Sequence, residues 1–149
     1  MDLIFHPDQL KIDNPEWKIY ARNPVCPPHY TGAKASISNS IVSEGGNICG
    51  KVEDSVIFFK VDLKEDSEVY SSVVMQHAVV EPGAKVYNAI IGDGAIIKKG
   101  AVVGAPAEKG KAPVITVIGP NSTVNENETV PAGEIIDRAE AGKEGIRNV

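Results

Sequence analysis

Residues 52–103 fall into three units of seventeen, VEDSVIFFKVDLKEDSE (52–68), VYSSVVMQHAVVEPGAK (69–85) and VYNAIIGDGAIIKKGAV (86–102), after which Val103 opens another turn. Aliphatic residues stand at Val52, Ile57, Leu63, Val69, Val74, Val80, Val86, Ile91, Ile97 and Val103, so the chain steps by five, six and six. An amphipathic α-helix repeats near 3.6 residues and an alternating strand at 2. A six-residue hydrophobic step belongs instead to a hexapeptide β-helix, in which each coil stacks on the one before.

Two further columns agree with that reading. Two residues before each aliphatic stands a mostly small side chain: Ser55, Val61, Ser67, Ser72, Ala78, Ala84, Ala89, Ala95 and Ala101. A narrow three-sided prism needs this, because only small groups fit beside the inward aliphatic at a tight corner. Three residues after the aliphatic, on the six-residue sides, stand Asp66, His77, Gly83, Gly94 and Gly100, with Lys60 out of type. These residues tolerate positive φ, which sharp corners demand. The short sides begin at Val52, Val69 and Val86, so the deletion recurs on one edge of the prism. Burying each aliphatic is worth roughly 1.5–3 kcal/mol before conformational entropy is subtracted.

Outward from this core the repeat weakens in both directions. Ile37, Val42 and Ile48 form an earlier coil, but only four residues separate Ile48 from Val52, so that coil is expected to be irregular. The register breaks at 105–113, a run of Ala, Pro, Gly, Glu and Lys read as a loop leaving the prism. Ile118, Val124, Val130 and Ile136 then resume the six-residue step with Asn121, Asn127 and Gly133 at the corners. The predicted architecture is all-β, a parallel β-helix over 35–136 with an excursion loop at 105–113. A proline-rich connector (1–34) precedes it and a polar tail (137–149) follows. Asn14-Pro15-Glu16-Trp17 has the form of a capped helix start, and Trp17, Ile19 and Tyr20 are apolar enough to pack on something.

The hydrophobic share of 42% and charged share of 23% are those of a globular protein. A formal net charge of −5 with no basic stripe argues against a nucleic-acid partner. Apolar runs fall far short of the ~18 residues that cross a bilayer, and no signal peptide is apparent, so a cytoplasmic protein is expected. Cys26 and Cys49 have neither CxxC spacing nor a neighbouring His cluster, so both are read as free thiols.

Several strings resemble one family: Trp17-Lys18-Ile19-Tyr20-Ala21-Arg22-Asn23-Pro24, Pro27-Pro28-His29-Tyr30, Asn39-Ser40-Ile41-Val42-Ser43-Glu44-Gly45 and Val52-Glu53-Asp54-Ser55-Val56-Ile57-Phe58. Together they are similar to the C-terminal domain of glucose-1-phosphate adenylyltransferase. The resemblance implies a single-stranded left-handed parallel β-helix that serves assembly and regulation in an enzyme making ADP-glucose for glycogen, with Mg2+ and ATP handled elsewhere in the enzyme. It also implies self-association, or pairing with the catalytic domain or subunit of the same enzyme. The family's Gly-rich nucleotide loop with its Arg-Leu pair has no counterpart here. The chain is therefore read as a C-terminal fragment or truncated product, with no catalytic residue, no cofactor and no activity of its own.

Four lysines, Lys98, Lys99, Lys109 and Lys111, are candidates for a patch that takes a phosphorylated metabolite effector, against the plainer reading of solvated surface. The turns Asp93-Gly94 and Gly119-Pro120-Asn121, where some relatives carry basic residues for anionic effectors, carry none. His77 admits three readings: a corner residue at positive φ, the general base of a hexapeptide acyltransferase using acetyl-CoA, or a metal ligand. His6 and His29 lie outside the coils, so three converging ligands are hard to build and no metal site is expected. Glu53-Asp54 reads as a solvated edge. Gly45-Gly46 and Gly92-Asp93-Gly94 read as turns, since neither matches a phosphate loop.

Overall fold

The computed structural model describes Glu16, residues 25–108 and residues 110–138. The expectations placed on Trp17, Ile19 and Tyr20, on Lys109, and on the tail from residue 139 lie outside the described residues.

The described chain is all-β and forms a three-sided parallel β-helix. The first side stacks Tyr30–Thr31, Asn47–Ile48, Asp62–Leu63, Val79–Val80, Ile96–Ile97 and Thr123–Val124. On the second are Ser36–Ser38, Lys51–Glu53, Glu68–Tyr70, Lys85–Tyr87, Val102–Val103 and Thr129–Val130. Ile41–Val42, Val56–Ile57, Val73–Val74, Ala89–Ile91, Thr116–Ile118 and Ile135–Ile136 make the third. Strands this short cannot hold themselves together, so each rests on the coil below through parallel hydrogen bonds. Pairing begins at Tyr30, inside the segment read from the sequence as connector.

The three sequence columns become three physical columns. All ten aliphatics from Val52 to Val103 are fully buried, and like sits on like: Val52 on Val69 and Val69 on Val86. The small residues of the second column are buried with them, from Ser55 to Ala101. At the corners Asp66, His77, Gly83, Gly94 and Gly100 all have positive φ. Lys60, the residue that looked out of type, adopts the same conformation at φ 57°. A non-glycine residue there costs roughly 1–2 kcal/mol. Its amide donates to the Glu44 carbonyl at 3.1 Å, one rung of a corner ladder that continues from His77 to Phe59 and from Gly94 to Gln76.

The short corner, between the second and third sides, works differently. One positive-φ residue closes it in each coil: Asn39, Asp54, Ser71 and Asn88. Serines beside it stitch the coils together. Ser55 N–H donates to Ser40 Oγ at 3.1 Å, Ser72 N–H to Ser55 Oγ at 3.1 Å, and Ala89 N–H to Ser72 Oγ at 3.0 Å. Each hydroxyl in turn donates to the carbonyl two residues back, at 2.7 Å. The small column was read for size alone; at this corner it also supplies hydrogen bonds that the shortened backbone lacks.

That ladder ends at Ala89, which has no hydroxyl, and the next coil is the one that leaves the prism. Thr116 N–H bonds the Asn88 carbonyl instead, at 3.0 Å, and Asn88 Nδ2 donates to the Ala105 carbonyl at 2.7 Å, pinning the start of the excursion. Pairing of Ile91 with Ile118 shows the excursion to be ten residues longer than a regular turn. The first coil is irregular in the opposite sense. Ile48 still pairs with Leu63 and Ile37 with Val52, two residues short of the later repeat. Gly50 makes the cut tolerable, since a methyl group there would collide with the Ser67 carbonyl and hydroxyl oxygens.

Candidate functional site

With the interior filled by aliphatics, recognition is confined to the corners and the outer faces. His77 sits at the corner between the third and first sides, half exposed, with φ 59°. Its Nδ1 lies 3.0 Å from Asp93 Oδ1 in the coil above, and Gln76 Nε2 donates to Asp93 Oδ2 at 3.1 Å. The Phe59 ring meets the imidazole edge-on, with centroids 5.9 Å apart. The corner reading of His77 thus describes its backbone, while Asp93 supplies a carboxylate that orients the ring. Among the described residues no group of three His, Cys, Asp or Glu side chains is placed to hold a metal ion.

Lys98, Lys99 and Lys111 stand on different edges. Lys98 follows the first-side strand Ile96–Ile97, and Lys99 begins the next corner, its backbone N–H donating to Glu81 Oε2 at 2.9 Å. Lys111 lies in the excursion, on the edge between the second and third sides, and pairs with Glu108 at 2.6 Å. Glu53 and Asp54 part company. Glu53 takes an ion pair with Lys51 at 3.0 Å, and Asp54 turns the short corner with Asn39 Nδ2 donating to it at 2.6 Å. Cys26 and Cys49 are both free thiols.

The outer faces differ sharply in chemistry. On the second side a charged and aromatic ladder runs up the prism: Lys51 lies 4.9 Å from the Tyr70 ring centroid, and Tyr70 stacks on Tyr87 at 5.3 Å and 6°. Lys85 bridges to Glu68 at 3.1 Å, and the Tyr70 hydroxyl donates to the same carboxylate at 3.0 Å. Burial pushes the Glu68 carboxyl up, but Lys85 and Tyr70 outweigh it and hold the group below its ordinary range. Partners in the same ladder raise the lysines, Glu53 acting on Lys51 and Glu68 on Lys85. Desolvation raises the Tyr87 phenol. An open groove of about 450 Å³ runs beside these rings, bounded by Asp54, Ser71, Asn88 and Pro106.

Among the described residues the third side has no counterpart to that ladder. Its outward residues are Ile41, Val56, Val73, Ile90, Val117 and Ile135, each paired in register with the next. Ile41 and Ile90 are 39% exposed and Ile135 75%. The sequence columns overlooked this row because they followed only inward residues. Its signal was legible one position before each third-side aliphatic.

The chain is similar to known proteins in sequence and in fold. The chain is 44% identical over 80 residues to glucose-1-phosphate adenylyltransferase of Acetivibrio thermocellus, covering 54% of this chain and 19% of that protein. It is 44% identical over 73 residues to the enzyme of Clostridium beijerinckii, covering 49% and 19%. Against that of Clostridioides difficile it is 37% identical over 79 residues, covering 53% and 20%. The chain thus matches about a fifth of the length of these relatives. Among solved structures it is similar to the acetyltransferase domain of PglB from Neisseria gonorrhoeae, determined with acetyl coenzyme A. The TM-score is 0.57 at 20% identity, over 76% of this chain and 57% of that one, a likeness of fold. Residues 28–117, more than half of the chain, match the GlmU-like C-terminal hexapeptide family, and the chain belongs to that family.

Proposed function

We propose that the chain is the assembly and regulatory β-helix of a glucose-1-phosphate adenylyltransferase, acting in the cytoplasm in ADP-glucose synthesis for glycogen. The observation that carries this reading is the 37–44% identity to enzymes of that name across 73–80 residues. Its contribution is packing against the rest of such an enzyme or against another copy. By itself the chain should leave ATP and glucose 1-phosphate unconverted. Lys98, Lys99 and Lys111 are proposed to meet a phosphorylated effector.

A chimera tests the reading. Grafting this chain in place of the matched 80 residues of the Acetivibrio thermocellus enzyme should preserve ADP-glucose formation and the native oligomer. A folded chimera that has lost both refutes it.

A second reading, a hexapeptide acyltransferase using acetyl-CoA, has one observation in its favour. Asp93 holds His77 Nδ1, as an orienting carboxylate holds a general base. If that reading is right, the parent transfers acetyl groups and His77→Ala does not; an inactive parent ends it.

A further inference from the structure

We infer that the groove along the short corner, between the stacked tyrosines and the root of the excursion, is a binding site for an uncharged oligosaccharide, a chain of pyranose units laid along the prism axis. The site stands apart from the assembly reading above and does not rest on it.

The ladder of rings ends with one face unused. Lys51 lies against the Tyr70 ring on one side and Tyr87 stacks on the other. Above Tyr87 the ladder position falls to Gly104, since Val86 pairs with Val103. Gly104 has φ 73° and lies so close to the Tyr87 carbonyl that a Cβ would overlap it, so no side chain stands over the ring from that position. The exposed residues Pro106 and Ala107 line the groove at this end, and Asn88 Nδ2 fixes them through the Ala105 carbonyl. An aromatic face beside an apolar end wall suits the C–H face of a sugar ring, which buries area without asking for a charge.

Polar groups set the ligand class. Asp54, Ser71 and Asn88 line the groove one per coil, at the ~4.8 Å step of stacked strands. A chain of pyranose units has nearly that repeat, so each unit meets one of them. Asn88 is 5% exposed and spends its Nδ2 on Ala105, while no described donor reaches its Oδ1. The Ser71 and Tyr87 hydroxyls have no hydrogen-bond partner among the described residues. Such groups match sugar hydroxyls, which both donate and accept. The carboxylates are already engaged, Glu53 by Lys51 at 3.0 Å and Asp54 by Asn39 at 2.6 Å. Both would repel a phosphate, and among the described residues no lysine or arginine lines the groove to offset them. Its volume of about 450 Å³ falls within the ~300–1,000 Å³ of small-ligand sites.

Titration of the isotope-labelled 149-residue chain with maltotetraose and with cellotetraose, followed by amide chemical shifts, provides the test. At least one sugar should give saturable shifts centred on Tyr70, Ser71, Tyr87 and Asn88, with a Kd on the order of 1 mM. Binding of maltotetraose alone identifies an α-glucan and binding of cellotetraose alone a β-linked chain, and either supports the site. Tyr87→Ala removes the free ring face, and Ala107→Trp fills the groove from an exposed position; each should weaken binding about tenfold or more. Tyr87→Phe keeps the face and should hold the affinity within about threefold. Raising the salt about tenfold should change nothing, because no charge is exchanged. No saturable shift with either sugar up to about 10 mM overturns the proposal. So do shifts centred elsewhere, or binding that survives Ala107→Trp in a folded chain. Tighter binding of glucose 1-phosphate in the groove, or salt-sensitive displacement of the sugar by tetralysine, also overturns it, assigning the groove to an anion or to a basic peptide.

Discussion

The second and third sides share one interior and have unrelated exteriors. Inside, Val69 and Val86 do for one side what Val74 and Ile91 do for the other, each fully buried and paired to its equivalent in the next coil. Outside, one carries stacked tyrosines and ion pairs and the other bare aliphatics. The repeat therefore specifies the prism, and the outward residues are left free for recognition. A fold built this way can keep its core while its surface changes function, which is why family membership and activity are separate questions.

The strongest way to break the comparison is to attack the shared interior. Val69→Asp and Val74→Asp should each cost more than about 4 kcal/mol in a denaturant titration, with no difference between sides, because each places a charge where nothing can pair with it. A side that tolerates its Asp is not part of the common core. Val80→Asp on the first side should behave likewise. Glu81→Ala, one residue outward, should leave the coil folded and lose only a hydrogen bond to Lys99 N–H.

Next in size is the joint between the two sides. Ser72→Ala removes the acceptor for Ala89 N–H in a buried position, which should cost about 1–3 kcal/mol and raise amide exchange at Ala89. Unchanged exchange would mean that the serine column is a matter of size after all. Smaller again is Tyr87→Ala, which removes the stack on Tyr70 and should lower stability by about 0.5–1.5 kcal/mol together with its buried area.

The smallest effect distinguishes the faces by pH. The Glu68 carboxyl is held below its ordinary value of 4.5, so its contribution is present above that value and is lost as pH falls through the depressed one. Acid titration of the parent should show a slight loss of stability beginning below pH 4.5 that Glu68→Gln does not show. The third-side rungs contain no titratable group, so Ile90→Ala should leave this profile as it is.

Much of the fold was legible because a β-helix repeats its environment. Each inward position recurs every seventeen residues, so one pattern states the burial of ten side chains at once. Lys60 escaped residue-type reasoning because its neighbours above and below hold its backbone, overriding its own preference. The serine stitch escaped because a hydroxyl's partner lies a whole coil away. His77 was legible as a corner, but its Asp93 partner sits sixteen residues on, and only stacking makes the two adjacent. Lys98, Lys99 and Lys111 are close along the chain. A side of the prism lies between Lys99 and the excursion that carries Lys111.

By itself the sequence determined the stacked prism, its interior and nearly all its corners, since these follow from local periodicity and from which residues accept positive φ. Tertiary structure alone decided which outward residues share a face. Outward residues one coil apart in the chain are brought to about 4.8 Å by strand pairing, and that juxtaposition turns six scattered aliphatics into one continuous surface.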